Sequence, residues 1–130
     1  MTTIETGTND LLAENINGVG VITLNRPDAR NAMSGEMNAA LSHTLAAWEL
    51  DPAIKCIILT GAGKGFCAGG DVKGMAASGD GTVGDNTIDG AIHAQRVTQR
   101  ATAGKLFKMP KPTIAALPGA AAGAGLSFAL

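Results

Sequence analysis

Two glycine-dense stretches carry the residues best suited to chemistry: GAGKGFCAGGDVKGM at positions 61–75 and PGAAAGAG at positions 118–125. A bend that leads into a helix concentrates unpaired backbone N–H groups, so each stretch can aim donors at an anionic oxygen or one that becomes negative during reaction. A phosphate-cradling loop needs G-x-x-x-x-G-K-[ST]. Here Ile58 stands where the first glycine belongs, and Gly65 replaces the metal-binding hydroxyl after Gly63-Lys64, which excludes that motif. Gly63, Gly65 and Ala68 satisfy G-x-G-x-x-[GA], yet Gly69-Gly70 begin a helix poorly. No second strand ends in an acid at the expected distance, which argues against a dinucleotide site. Two readings stay open on the residues alone. The stretches are tight turns, or each lends one N–H to an oxyanion hole, where small residues let the backbone come within hydrogen-bond distance of a ligand.

The elements that must position these loops follow from periodicity. Residues 11–17 and 20–25 are apolar or alternating and meet at Asn17-Gly18, a hairpin dipeptide. Arg26-Pro27-Asp28 breaks the second strand. Ser34 is placed to cap a helix over 34–50 whose stripe of Met37, Leu41, Leu45 and Trp48 reads as core. Asp51-Pro52 ends it. Residues 54–60 are β-branched and apolar enough for a buried strand, so strand, helix and strand follow as in a parallel crossover. The polar stretch 79–90 reads as a mobile excursion. Helix returns over 88–109, with Ile92, Val97, Leu106 and Phe107 on one side and Arg96 and Arg100 off it. A short buried strand is predicted over 113–117, and a further helix from Ala120 still running at Leu130.

Composition narrows the function classes. The 130 residues hold ten basic and eleven acidic side chains, a formal charge of −1, which suits one domain and offers no basic excess for a phosphate backbone. Aromatic residues are 3% of the chain, too few to stack bases, so nucleic-acid binding is excluded. The 18 glycines, about twice ordinary usage, follow no collagen-like period and must serve local geometry. Cys56 and Cys67 have neither CxxC spacing nor histidine neighbours, which disfavours a disulfide scaffold or a metal site. Residues 113–130 carry no charge, but Pro118 and three glycines interrupt a run already shorter than the ~20 residues a membrane span needs. The polar, acidic start MTTIETGTND lacks the pattern of a secretory signal, so a reducing cytoplasm is expected.

Three segments in order, LNRPDARNAMS, GKGFCAGGDVKGM and KPTIAALPGAAAGAGLSFAL, resemble the enoyl-CoA hydratase/isomerase (crotonase) superfamily. The likeness extends over nearly the whole chain from Leu11, and it covers only the N-terminal half of a usual member. It implies an α/β fold, a spiral of ββα units, with residues 1–130 forming the N-terminal portion of one core domain. It also implies trimers or paired trimers and an acyl-CoA thioester ligand, with coenzyme A part of the substrate and no separate cofactor.

Position by position, the resemblance makes the backbone N–H of Gly70 the first oxyanion donor and that of Ala124 the second. Ala68 and the run Gly70, Asp71, Val72 and Lys73 would line the coenzyme path. Ala29 and Arg30 would flank it from the other side, and Lys64 would approach the phosphates or lie solvated on the surface. The departure is Ser127, which stands where hydratases of the family place a glutamate. A serine hydroxyl does not hold and release a proton near neutral pH as a carboxylate does, and it can simply bond its own helix. The second acid would fall beyond Leu130. The reading is therefore a hydratase/isomerase-type enzyme stabilising a thioester enolate; the alternative is a non-catalytic acyl-CoA-binding or structural fragment. Asp71 suits helix capping better than acid–base work, His43 and His93 read as surface residues, and Cys67 lacks a partner that would make it a nucleophile.

Overall fold

The computed structural model describes residues 2–71 and 88–130. Five strands form one sheet in chain order: β1 (Thr2–Ile4), β2 (Leu11–Ile16), β3 (Val19–Leu24), β4 (Cys56–Gly61) and β5 (Thr113–Ala116). The first three pair antiparallel, and β3–β4 and β4–β5 pair parallel. At the expected hairpin, Asn17 and Gly18 both take positive φ (52° and 90°), as a two-residue turn matched to strand twist requires. Strand β1 has no counterpart in the sequence reading; three polar-flanked residues give too short a pattern, and only pairing with β2 defines them.

Helix α1 (Gly35–Leu50) crosses from β3 to β4. Ser34 caps it as expected: its Oγ accepts the Met37 N–H at 3.0 Å and donates to the Asp10 carboxylate at 2.7 Å. The predicted stripe of Met37, Leu41, Leu45 and Trp48 is buried, against sheet residues such as Leu11, Ile22, Leu24 and Ile57 in the same core. At the other end of α1, Lys111 Nζ donates to the carbonyls of Trp48 and Asp51, so a cation satisfies acceptors that a helix C-terminus leaves open. Lys105 Nζ pairs with Glu49 at 2.8 Å nearby.

The second half departs from the sequence reading in three places. The helix expected over 88–109 is two, α2 (Ile88–Ala101) and α3 (Ala103–Lys108), because Thr102 leaves helical backbone (φ −116°, ψ −93°). The hydroxyls of Thr98 and Thr102 each donate to the carbonyl four residues back, a bond that bends helices. Of its predicted apolar side only Leu106 is buried; Ile92, Val97 and Phe107 are exposed, because among the described residues no element covers them. Strand β5, expected to be buried, is also largely exposed, with Ile114 54% accessible. It is the last strand of the sheet, and one of its edges is unpaired among the described residues. The final helix, α4 (Ala124–Ala129), begins four residues later than predicted, because Gly123 (φ 54°, ψ −125°) is not helical. The stretch expected to be mobile lies largely outside the described residues.

Replacing the capping serine tests the hairpin–helix unit. Ser34→Ala is expected to lower stability by about 1 kcal/mol, read as a shift of the urea midpoint with Trp48 fluorescence as the probe.

Candidate functional site

The first glycine loop leaves β4 at Gly61 and is held from below by Asn31. This side chain is fully buried, in a residue with left-handed backbone (φ 55°), a conformation asparagine tolerates better than most residues. Its amide donates to the carbonyls of Ala62 (2.9 Å) and Gly65 (3.0 Å), and its oxygen accepts the Arg26 N–H at 2.8 Å. Arg26 then extends to the Ala32 carbonyl at 2.7 Å and to the Asp71 carboxylate at 3.3 Å. The backbone of 30–33 runs beside the same loop: Ala68 donates to the Arg30 carbonyl at 3.0 Å and Met33 to the Gly69 carbonyl at 2.7 Å. Sequence reasoning quoted this segment and assigned Asn31 nothing; its signal was an asparagine closing the turn-forming RPDARN run.

The second loop docks on the first through main chain. Phe66 N–H donates to the Ala120 carbonyl at 3.0 Å, and Ala122 N–H donates to the Cys67 carbonyl at 3.0 Å. The approach leaves no room for side chains at two positions: a Cβ on Gly125 would lie 2.3 Å from the Cys67 carbonyl oxygen, and one on Gly119 2.0 Å from the Lys64 carbonyl oxygen. At Gly69 the fit is tight, 3.2 Å to the Ala122 oxygen, and a φ of +109° itself disfavours a side chain.

Gly70 and Ala124, one from each loop, line the same cavity of about 860 Å³. Neither N–H donates to an acceptor among the described residues. Ser127, one turn along α4, lines it too, as do Met33 and Phe128. Polar side chains join the lining from α2 and its junction with α3, including Gln95, Gln99, Arg96 and Arg100. Sequence reasoning missed this part of the lining, although Gln95, Thr98, Gln99 and Thr102 recur at helical spacing.

The remaining predicted site residues separate from this pair. Ala29 sits in the 3₁₀ turn Pro27–Ala29, half-buried, and Arg30 is exposed with left-handed backbone (φ 54°). Neither they nor Ala68 line the cavity. Lys64 is exposed on the first loop. Asp71 is engaged by Arg26, and the helix it was expected to cap, with Val72 and Lys73, lies outside the described residues. His43 and His93 are exposed. Cys67 is buried; burial pushes its thiol above the ordinary value, and a backbone contact to Gly69 partly offsets that rise. Among the described residues no three His, Cys, Asp or Glu side chains gather as a metal site, and no helix is long and apolar enough to cross a membrane.

A sheet with crossover helices and two interlocked loops over one cavity defines a mixed α/β protein of the crotonase fold, and comparison with solved structures agrees. An enoyl-CoA hydratase/isomerase from Marinobacter aquaeolei superposes with a TM-score of 0.81 at 36% identity, over 93% of this chain and 46% of that one. A structure described as a putative enoyl-CoA hydratase from Streptomyces coelicolor A3(2) gives 0.78 at 34% identity, over 92% and 42%. The enoyl-CoA hydratase/isomerase family model matches residues 19–130, and the chain belongs to that family. It is 41% identical over 113 residues to the 1,2-epoxyphenylacetyl-CoA isomerase of Escherichia coli (strain K12), covering 87% of this chain and 41% of that protein. It is 37% identical over 131 aligned positions to the enoyl-CoA hydratase EchA19 of Mycobacterium tuberculosis, covering 96% and 44%. The chain thus spans about two-fifths of the length of these curated relatives.

One variant and one labelling experiment probe the site's scaffold. Asn31→Ala strips two carbonyls and one N–H of their partner at once, and a loss of about 2–4 kcal/mol in folding free energy is expected by urea titration. In the folded wild type, iodoacetamide is expected to modify the half-buried Cys56 well before Cys67, read by mass spectrometry, since a buried thiol with a raised pKa offers little thiolate. Equal labelling of both in the native state would contradict the burial of the first loop.

Proposed function

We propose that this chain binds an acyl-CoA thioester and stabilises its enolate through the backbone N–H groups of Gly70 and Ala124. The observation that carries the reading is that Gly70 and Ala124, set on separate loops, line one cavity, with the N–H of neither engaged by an acceptor among the described residues. A thioester oxygen seated between them accepts two hydrogen bonds in the ground state. Those bonds strengthen as a proton leaves the adjacent carbon and negative charge moves onto the oxygen, so the stabilisation is larger in the transition state. One such donor is worth ~2.7–4 kcal/mol in comparable sites. The donors belong to the main chain, so an alanine at position 124 serves as well as a glycine. In the same reading Asp71, Val72 and Lys73 border the coenzyme path with Ala29 and Arg30 across from them, and subunits assemble as trimers or paired trimers. Coenzyme A arrives with the substrate, and no separate cofactor takes part.

Ser127 favours a second reading. It occupies the cavity wall where a carboxylate would move the proton, and its hydroxyl is far from the pKa range useful for that work. A binding fragment without turnover fits that residue.

The test uses the 130-residue protein with crotonyl-CoA and a 3-enoyl-CoA, followed by absorbance, with calorimetry of butyryl-CoA binding alongside. Saturable binding is expected, and so is its loss in Gly125→Ala, whose methyl group would force the loops apart. Binding with isomerisation of the 3-enoyl ester supports the enzyme; binding without any turnover supports the fragment. Absence of binding by a folded protein overturns both.

A further inference from the structure

Acyl groups of fatty acids are apolar, and a wall that holds one is expected to be apolar too. The cavity that contains Gly70 and Ala124 offers apolar surface from Met33, Ala103 and Phe128, more of it than polar surface. It is lined as well by the part of α2 that carries Gln95, Thr98 and Gln99, followed by Thr102. Positions i, i+3 and i+4 lie on one helical face, so Gln95, Thr98 and Gln99 form a polar stripe that runs up to the break at Thr102, and Arg96 and Arg100 border it in the same cavity.

Its unspent donors are the guanidinium groups and the glutamine amides, which also carry acceptor oxygens. The hydroxyls of Thr98 and Thr102 already donate to helix carbonyls at 3.1 and 2.8 Å. The amides of Gln95 and Gln99 have no partner among the described residues, and neither arginine has an acidic one there. Arg100 spends only its Nε, on the Arg96 carbonyl at 3.4 Å. No Asp or Glu is among the described residues that line the cavity. Two like charges four residues apart on a helix repel, and an anion between them relieves that repulsion.

We propose that the acyl group taken by this cavity carries a carboxylate, read by Arg96, Arg100 and Gln99 while its methylenes lie on Met33 and Phe128. The inference rests on the thioester reading above, because it needs Gly70 and Ala124 to fix the other end of the acyl group. A guanidinium binds a carboxylate through paired, charge-assisted hydrogen bonds. The coenzyme's phosphates offer similar chemistry, so the experiment must separate the two anions.

Adipoyl-CoA and hexanoyl-CoA have the same chain length and differ in the terminal carboxylate; free coenzyme A is the third ligand. Calorimetry at low salt is expected to give adipoyl-CoA about tenfold tighter binding than hexanoyl-CoA, the factor that one net charge-assisted contact supplies. The double variant Arg96→Gln/Arg100→Gln is expected to abolish that difference and leave hexanoyl-CoA within about twofold of wild type, with circular dichroism confirming an intact fold. Gln99→Leu is expected to narrow the difference and strengthen hexanoyl-CoA. Equal affinity of wild type for the two esters overturns the inference and leaves the thioester reading intact. A double variant that weakens all three ligands alike assigns the arginines to the coenzyme and also overturns it. Failure of both esters to bind removes the thioester reading, and the inference with it.

Discussion

Two backbones can lie in hydrogen-bond contact only where no side chain stands between them, and that constraint governs the site. The strip Phe66–Cys67 meets Ala120–Ala122 through main-chain bonds, and Gly119 and Gly125 are positions where a single methyl group would break the contact between the loops. The glycine excess is therefore partly a packing requirement, set by neighbours that arrive from 50 or more residues away. The same contact brings Gly70 and Ala124 to one cavity. A looser junction would leave the two residues without a shared cavity.

Behind that junction stands a polar support that a purely apolar core would not provide. Asn31 is fully buried and uses both sides of its amide, holding Ala62, Gly65 and Arg26 in fixed relation. Arg26 continues the chain of contacts to Asp71, the residue after Gly70. A buried amide with all its main partners in place costs little, whereas one with a partner missing is expensive. The loop is thus confined to one conformation by hydrogen bonds with directional requirements.

The elements that the sequence made legible are those defined locally. The hairpin was readable because Asn17-Gly18 demands its own backbone conformation, and α1 because a cap, a stripe and a proline stop agree along one segment. Elements defined by distant partners were not. Strand β1 exists through its pairing with β2, and the exposure of Ile92, Phe107 and Ile114 depends on what lies over them, which periodicity does not report. The break at Thr102 required seeing threonine hydroxyls turned back on the helix. For the site, Gly70 and Ala124 were reachable through resemblance to known sequences, while the buried role of Asn31 was not. The helix α2 differs for a related reason: its apolar residues define one side by spacing, yet Ile92 and Val97 are exposed and its polar stripe borders the cavity.

That polar stripe and Ser127 bear on the same question from opposite sides. An oxyanion hole lowers the energy of an enolate whatever group removes the proton, so the two main-chain donors and the proton-moving residue are separable parts of the chemistry. In the proposed reading the donors come from backbone, which substitution alters little, and Ser127 puts a hydroxyl where the resemblance expects a carboxylate. Charge on the cavity wall comes from Arg96 and Arg100. Positive charge near a thioester favours its enolate as well as any bound carboxylate, since both are anions in a setting less screened than bulk water. The described residues thus gather donors and cations on one cavity and leave its described lining without a carboxylate base, an arrangement that stabilises negative charge more readily than it creates it.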